Sequence, residues 1–191
     1  EAGTLAAMAA AKGVTGALEI LEGAVGFGAA MSVNPDWSKA TRGLGTDYHI
    51  VHVTFKNHGC CGHTFPSIDG VLHLKHAHHL THKDIKKIRL ATYKAGLDII
   101  NNDKPEGEYQ AKFSLQYTVA HAMVHGSVRL NAFSPERMMD AEVRALMQKI
   151  ECVADPELSK GYPGQRAAHV EIETVDGRVF YVFDGQSLAA L

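Results

Sequence analysis

Residues 167–183 constrain the fold more tightly than any other stretch. Ala167–Thr174 and Arg178–Phe183 each alternate apolar with polar side chains, and Asp176-Gly177 lies between them. An Asp-Gly connection favours a tight hairpin because glycine takes positive φ without a Cβ clash, matching the twist of two paired strands. A lone hairpin is marginal in water, so its apolar face needs further strands or helices. Ile85–Tyr93 alternates in the same way, with Ile85, Ile88 and Leu90 set among lysines. Ile150–Ala154 is a shorter strand candidate, and Tyr48–Phe55 reads as a strand entering a turn.

Helical spacing fills the gaps. Pro66–His79 places Ile68, Val71 and Leu72 on one side with Pro66 in the first turn. Ala95–Ile100 is a short helix, Ala111–His125 a longer one stopped by Gly126, and Ser134-Pro135-Glu136 begins another, with Asp140–Lys149 continuing. Upstream, Glu1–Lys12 is an Ala/Leu/Met helix with Gly13 set to end it. Thr15 is placed to cap a short helix over Ala17–Glu22, Gly23–Met31 is a third, and Ser32–Asp47 is a loop. The expected class is therefore α+β: a small, mostly antiparallel sheet packed by helices on one face and preceded by extra helices.

At 191 residues the chain suffices for one domain with a real core, or for one domain plus an appended helical piece. A net charge of -2 argues against nucleic acid or an anionic membrane as partner. Three cysteines, two of them adjacent, form no disulfide framework and point to a reducing cytoplasm. No run approaches the ~18 apolar residues of a membrane span, and no secretory leader is visible. The opening residue is not Met and falls within a helix, as expected of a piece of a longer chain.

The chemistry concentrates in residues 55–69. Lys56, His58, Cys60, Cys61 and His63 crowd a turn loosened by Gly59 and Gly62, just ahead of a helix. One reading is a carboxylate or phosphate site: a lysine, glycine-exposed amides and a helix N-terminus all favour negative charge. A second is zinc, although adjacent cysteines rarely ligate one ion. A third is a surface loop with small buried thiols. Asp69, in the following helix, is placed either to orient a neighbour or simply to be solvated. Tyr117, His121 and His125 recur every four residues and form one stripe, suited to proton transfer, to a metal pair, or simply to a helix edge. His73, His76, His78, His79 and His82 follow the solvated side of a helix and its exit.

Phe55-Lys56-Asn57-His58-Gly59-Cys60-Cys61-Gly62-His63-Thr64, ending at Ile68-Asp69, resembles the F-K-x-x-x-C-C-x-x-T-H-x-x-I-D segment of the MmgE/PrpD family. Ala111-Lys112-Phe113-Ser114-Leu115-Gln116-Tyr117 is similar to its A-K-F-S-x-x-Y helix, and residues 1–23 resemble its glycine-punctuated opening. The resemblance covers nearly the whole chain in the family's order. It implies an α+β lid domain over residues 33–191, with residues 1–32 as connecting helices belonging with a helical domain further upstream. It also implies a homodimer, no cofactor, no metal, and a lyase or isomerase acting by proton transfer beside a carboxylate of a small di- or tricarboxylate. Lys56 and Tyr117 are the implied catalytic residues, as carboxylate clamp and as proton donor or hydrogen-bond partner. Cys60, Cys61, His63 and Gln116 are the implied substrate contacts. Cys61 stands where the family's decarboxylase has a histidine, which argues against cis-aconitate decarboxylation. Further site residues are expected upstream, so that this piece alone is inactive. The alternative is a non-catalytic metal-binding or dimerisation module.

Overall fold

A computed structural model of the chain describes residues 1–53 and 55–184. Two compact units separate after Val53, so the boundary expected after residue 32 lies inside the first.

In the first unit α1 (Ala2–Ala11) runs into Gly13 at φ +89°, the left-handed position anticipated for it. The helix expected over residues 17–22 is instead a set of turns, and of 23–31 only α2 (Phe27–Met31) is helical. Gly16, Gly23 and Gly26 each cost a helix about 1 kcal/mol relative to alanine, too much for segments this short. Loop bonds replace the helix, with the Phe27 amide donating to Ile20 O at 2.7 Å and Gly28 to Leu21 O at 2.9 Å. Trp37 covers Gly28, where a Cβ would meet the indole at 2.4 Å. Leu18, Val25 and Val33 are essentially fully exposed, and only Gly26 and Gly28 are buried among the residues described here. This unit has no apolar core of its own.

The strand expected over Tyr48–Phe55 does not form. His49–His52 is a 3-10 turn, and Ile50, Val51 and Phe55 are exposed. Strand preference is realised only against a sheet edge, and the ladder of the second unit closes without this segment.

That ladder is a four-stranded sheet of β1 (Ile85–Thr92), β2 (Ile150–Ala154), β3 (Ala168–Thr174) and β4 (Val179–Asp184), ordered β2-β1-β3-β4. β3 and β4 form the anticipated hairpin, with Gly177 at φ +85°. β1 pairs antiparallel with β3 and parallel with β2. A parallel pair needs a crossover, and residues 93–149 supply it as α4 (Lys94–Ile100), α5 (Glu108–Ala111), α6 (Leu115–His125), α7 (Pro135–Met138) and α8 (Ala141–Met147). α3 (Phe65–Ala77) precedes the sheet and α9 (Pro156–Gly161), which sequence periodicity did not suggest, follows β2.

The helices cover one face. Ile68, Val71 and Leu74 of α3, Val119 and Met123 of α6 and Val143 of α8 pack with Ile85, Ile88, Leu90, Val170 and Ile172. Each such side chain contributes about 1.5–3 kcal/mol of burial. α3 reaches the hairpin closely at Gly70, where a Cβ would lie 2.8 Å from Val170. The opposite face carries cross-strand charges, including Lys86–Glu173 and Lys87–Glu151, both 2.6 Å. The fold is α+β, as the alternation pattern indicated.

One refinement bears on the site. The helix expected as Ala111–His125 is interrupted after α5. Ser114 accepts from the Tyr117 amide at 3.0 Å while its own hydroxyl donates to Asn102 O at 2.5 Å, so α6 starts afresh at Leu115.

Candidate active site

The turn at residues 56–61 is not a free loop. The Gly59 amide donates to Val128 O and the Cys61 amide to Lys112 O, both at 2.9 Å, and Arg129 donates to Asn57 O at 2.7 Å. The approach at Gly59 is close: a Cβ there would lie 3.1 Å from Leu130 N and 3.2 Å from Arg129 C. Three segments distant in sequence are thereby laced together: the turn, the α5–α6 link, and the stretch after Gly126.

Between them opens a cleft of about 900 Å³, lined by residues 56–61, by Lys112 and Phe113, and by Ser127, Arg129, Leu130 and Asn131. Its charged side chains are cations. Lys112 is held by Glu108 at 2.7 Å and lies 5.6 Å over the Phe133 ring. That exposed i,i+4 pair is worth only about 0.3–0.5 kcal/mol. Phe113 and Leu130 give the cleft an apolar component beside the charges.

Lys56, Cys60 and Cys61 line this cleft; His63, Gln116 and Tyr117 do not. Cys60 is buried, its Sγ 3.1 Å from the Thr64 hydroxyl, which itself donates to Cys61 O at 2.7 Å. Burial pushes the Cys60 thiol up to about 12, so it is a neutral wall residue. His63 turns to the other side of the turn, with Nδ1 2.5 Å from Tyr93 Oη and its ring near Tyr162. Burial, then the nearby Arg166 charge, lowers its pKa and keeps it neutral. Gln116 is buried and donates to Asn101 Oδ1 at 2.7 Å, leaving its own Oε1 without a partner among the described residues.

Tyr117 is fully buried, and its hydroxyl donates to Ala132 O at 2.5 Å. Burial raises its phenol to about 12, with the Arg144 charge opposing. His121, one turn on, bonds through Nδ1 to Ser127 O at 2.8 Å, and burial depresses its pKa to about 4. The stripe read as chemistry thus grips two carbonyls that bracket the cleft wall at residues 129–131. His125 departs from this pattern and pairs with Asp140 at 2.9 Å. The histidine-rich run is dispersed: His73, His76, His78 and His79 are exposed, His78 stacks on Phe180, and His82 meets Glu142 at 3.3 Å. Among the described residues no group of three or more His, Cys, Asp or Glu converges as a metal site.

Sequence reasoning missed Lys112, Arg129 and His58. Lys112 and His58 lay within the two motif stretches but were not distinguished from their neighbours. Arg129 carries no local signal, because long-range bonds, Gly59 to Val128 and Arg129 to Asn57, bring it to the cleft.

The site is thus a cleft whose charged side chains are cations, within a small α+β domain. The MmgE/PrpD C-terminal domain matches residues 58–183, and the chain belongs to the MmgE/PrpD family. Among its relatives are the mitochondrial 2-methylcitrate dehydratase of Yarrowia lipolytica, 33% identical over 104 residues (52% of this chain, 20% of that protein), and the 2-methylcitrate dehydratase of Salmonella typhimurium, 30% identical over 105 residues (52% of this chain, 22% of that protein). The matched stretch spans about a fifth of the relatives' length. Their names are those of lyases, so the chain belongs to an enzyme family. Among the described residues no helix is long and apolar enough to cross a membrane.

Proposed function

We propose that this chain is the carboxylate-holding part of a 2-methylcitrate dehydratase-like lyase, acting on a small di- or tricarboxylate by proton transfer at the carbon beside a carboxylate. The observation that carries this reading is the convergence of Lys56, Lys112 and Arg129 on one cleft. Removing a proton beside a carboxylate piles negative charge on that carboxylate, and cations already in place stabilise it without reorganisation. Ammonium and guanidinium groups suffice for that task, so the reading assigns no metal. Epimerisation begins with the same proton abstraction and is the second outcome this site supports.

In this reading Lys56 clamps the substrate, Cys60 and Cys61 shape the cleft floor, and Tyr117 and His121 hold its far wall. The exposed apolar side chains of residues 1–53 suit a place against a helical domain of the same polypeptide, which completes the site, or against a second copy in a homodimer. The free cysteines suit a reducing compartment such as the cytoplasm.

The test is Lys56→Ala in the full chain with 2-methylcitrate. A charge-assisted contact is worth about 1.5–3 kcal/mol, so kcat/KM falls about 10- to 150-fold, through KM for the contact made to bound substrate and through kcat for the part made to the developing charge. Unchanged kinetics remove Lys56 from substrate binding.

A further inference from the structure

Resting on the cleft's reading as a proton-transfer site, we propose that His58, oriented by Asp69, is the group that moves the proton. Among the described residues, His58 supplies the cleft's imidazole. Its Nε2 lies 2.7 Å from Asp69 Oδ1, with the side chains 5% and 10% exposed, respectively. Phe65 packs edge-on against the ring at 5.1 Å and 79°, fixing its plane. An ionised carboxylate only accepts, so the ring hydrogen sits on Nε2 and the lone pair on Nδ1. Nδ1 has no hydrogen-bond partner among the described residues, and it is not among the sealed, unsatisfied polar atoms. Nδ1 is thus left available, on a residue that lines the cleft.

The competing groups are accounted for. The Cys60 thiol is neutral, His63 is turned onto Tyr93, and the Tyr117 proton is given to Ala132 O. Besides Asp69, the charged or titratable groups around the cleft are Lys56, Lys112, Arg129 and the two cysteines. The arrangement is a base held in one tautomer by an acceptor behind it, facing cations that receive the developing charge.

The step balances as follows. Nδ1 takes the proton from the carbon beside a carboxylate, and the C–H electron pair moves into that carboxylate, facing the ammonium groups. The imidazolium then gives its proton to the β-hydroxyl, the C–O bond breaks with its electrons leaving on water, and the carbanion pair closes the C=C bond. His58 is the catalytic residue, and Asp69 is a positioning residue.

A purely structural role is the rival, since the pair also ties the turn to α3. His58→Gln separates them: the Gln amide keeps an N–H for Asp69 but has no basic nitrogen. With 2-methylcitrate and the full chain, H58Q lowers kcat by about 10²–10⁴-fold, leaves KM within about threefold, and melts like wild type. Turnover within about threefold of wild type overturns the dyad and leaves the carboxylate reading intact. Should H58Q melt early, Asp69→Asn carries the test, with at least about tenfold lower kcat and a mixed His58 tautomer expected. Nitrogen-15 NMR of wild type reads the same proposal without substrate: an Nε2–H tautomer supports it, and an Nδ1–H tautomer overturns it. Failure of the wild type to bind or turn over 2-methylcitrate overturns the proposed function instead, and there the tautomer alone decides the dyad.

Discussion

Replacing Tyr117 by Phe distinguishes a phenol that takes part in chemistry from one that holds the cleft wall. The hydroxyl is fully buried and donates to Ala132 O at 2.5 Å, one residue beyond Asn131 of the cleft lining. Removing it deletes one hydrogen bond and strands a carbonyl in the core. The bond itself contributes about 0.5–1.5 kcal/mol, but a buried acceptor left unpaired costs about 1–3 kcal/mol. The larger figure governs, because the ring remains and no water reaches the site. For a cooperative unit the size of residues 54–191, each kcal/mol lowers Tm by roughly 3–5 °C. Tyr117→Phe is therefore expected to melt about 3–15 °C lower by circular dichroism. Its kcat on 2-methylcitrate should fall less than about tenfold, through a loosened segment 129–131. A variant with wild-type Tm and turnover depressed by about 10²-fold or more would refute the positioning argument and return the phenol to the reaction.

The remaining expectations concern ionisation. Burial holds the Cys60 thiol near 12, so iodoacetamide at pH 8 followed by peptide mass mapping should label Cys61 well before Cys60; equal labelling contradicts the buried placement of Cys60. His121 is depressed to about 4, chiefly by burial, with His125 and Arg137 adding to it and Asp140 opposing. Its folded pKa is below the unfolded value near 6.5, so the unfolded chain binds the extra proton as pH falls between these values. This contribution to stability is complete above about pH 6.5 and is lost toward pH 4, on the order of 3 kcal/mol in all. His121→Gln should flatten the fall of Tm between pH 7 and 4.5, and an unchanged slope would assign that fall to other groups.

How much was legible in the sequence varies by element. The hairpin at Asp176-Gly177, β1, α3 and the caps at Ser134 and Gly126 are written in neighbouring residues, and they appear where local patterning placed them. Tyr48–Phe55 has the apolar and β-branched content of a strand, yet His49–His52 forms a 3-10 turn. The break before α6 was missed because Ser114 competes for the Tyr117 amide only when Asn102 fixes its hydroxyl. Within the candidate site, Lys56 and the two cysteines were visible as an unusual density of polar and soft side chains, and the cleft lining includes them. Tyr117 and Gln116 looked equally chemical, yet a regular helix set against a sheet turns that face into the core.

By itself, then, the order of residues determined the hairpin, the helical spacing and the polar turn, since each is written in patterns spanning a few positions. Only tertiary structure decided which polar groups meet. The bond from Gly59 to Val128 brings Arg129 beside Lys56, α3 delivers Asp69 to His58, and Tyr117 and His121 spend their hydrogen bonds on the backbone of the cleft wall. Such contacts cost loop closure before they stabilise anything, and no local pattern reveals which closure the packed core makes favourable.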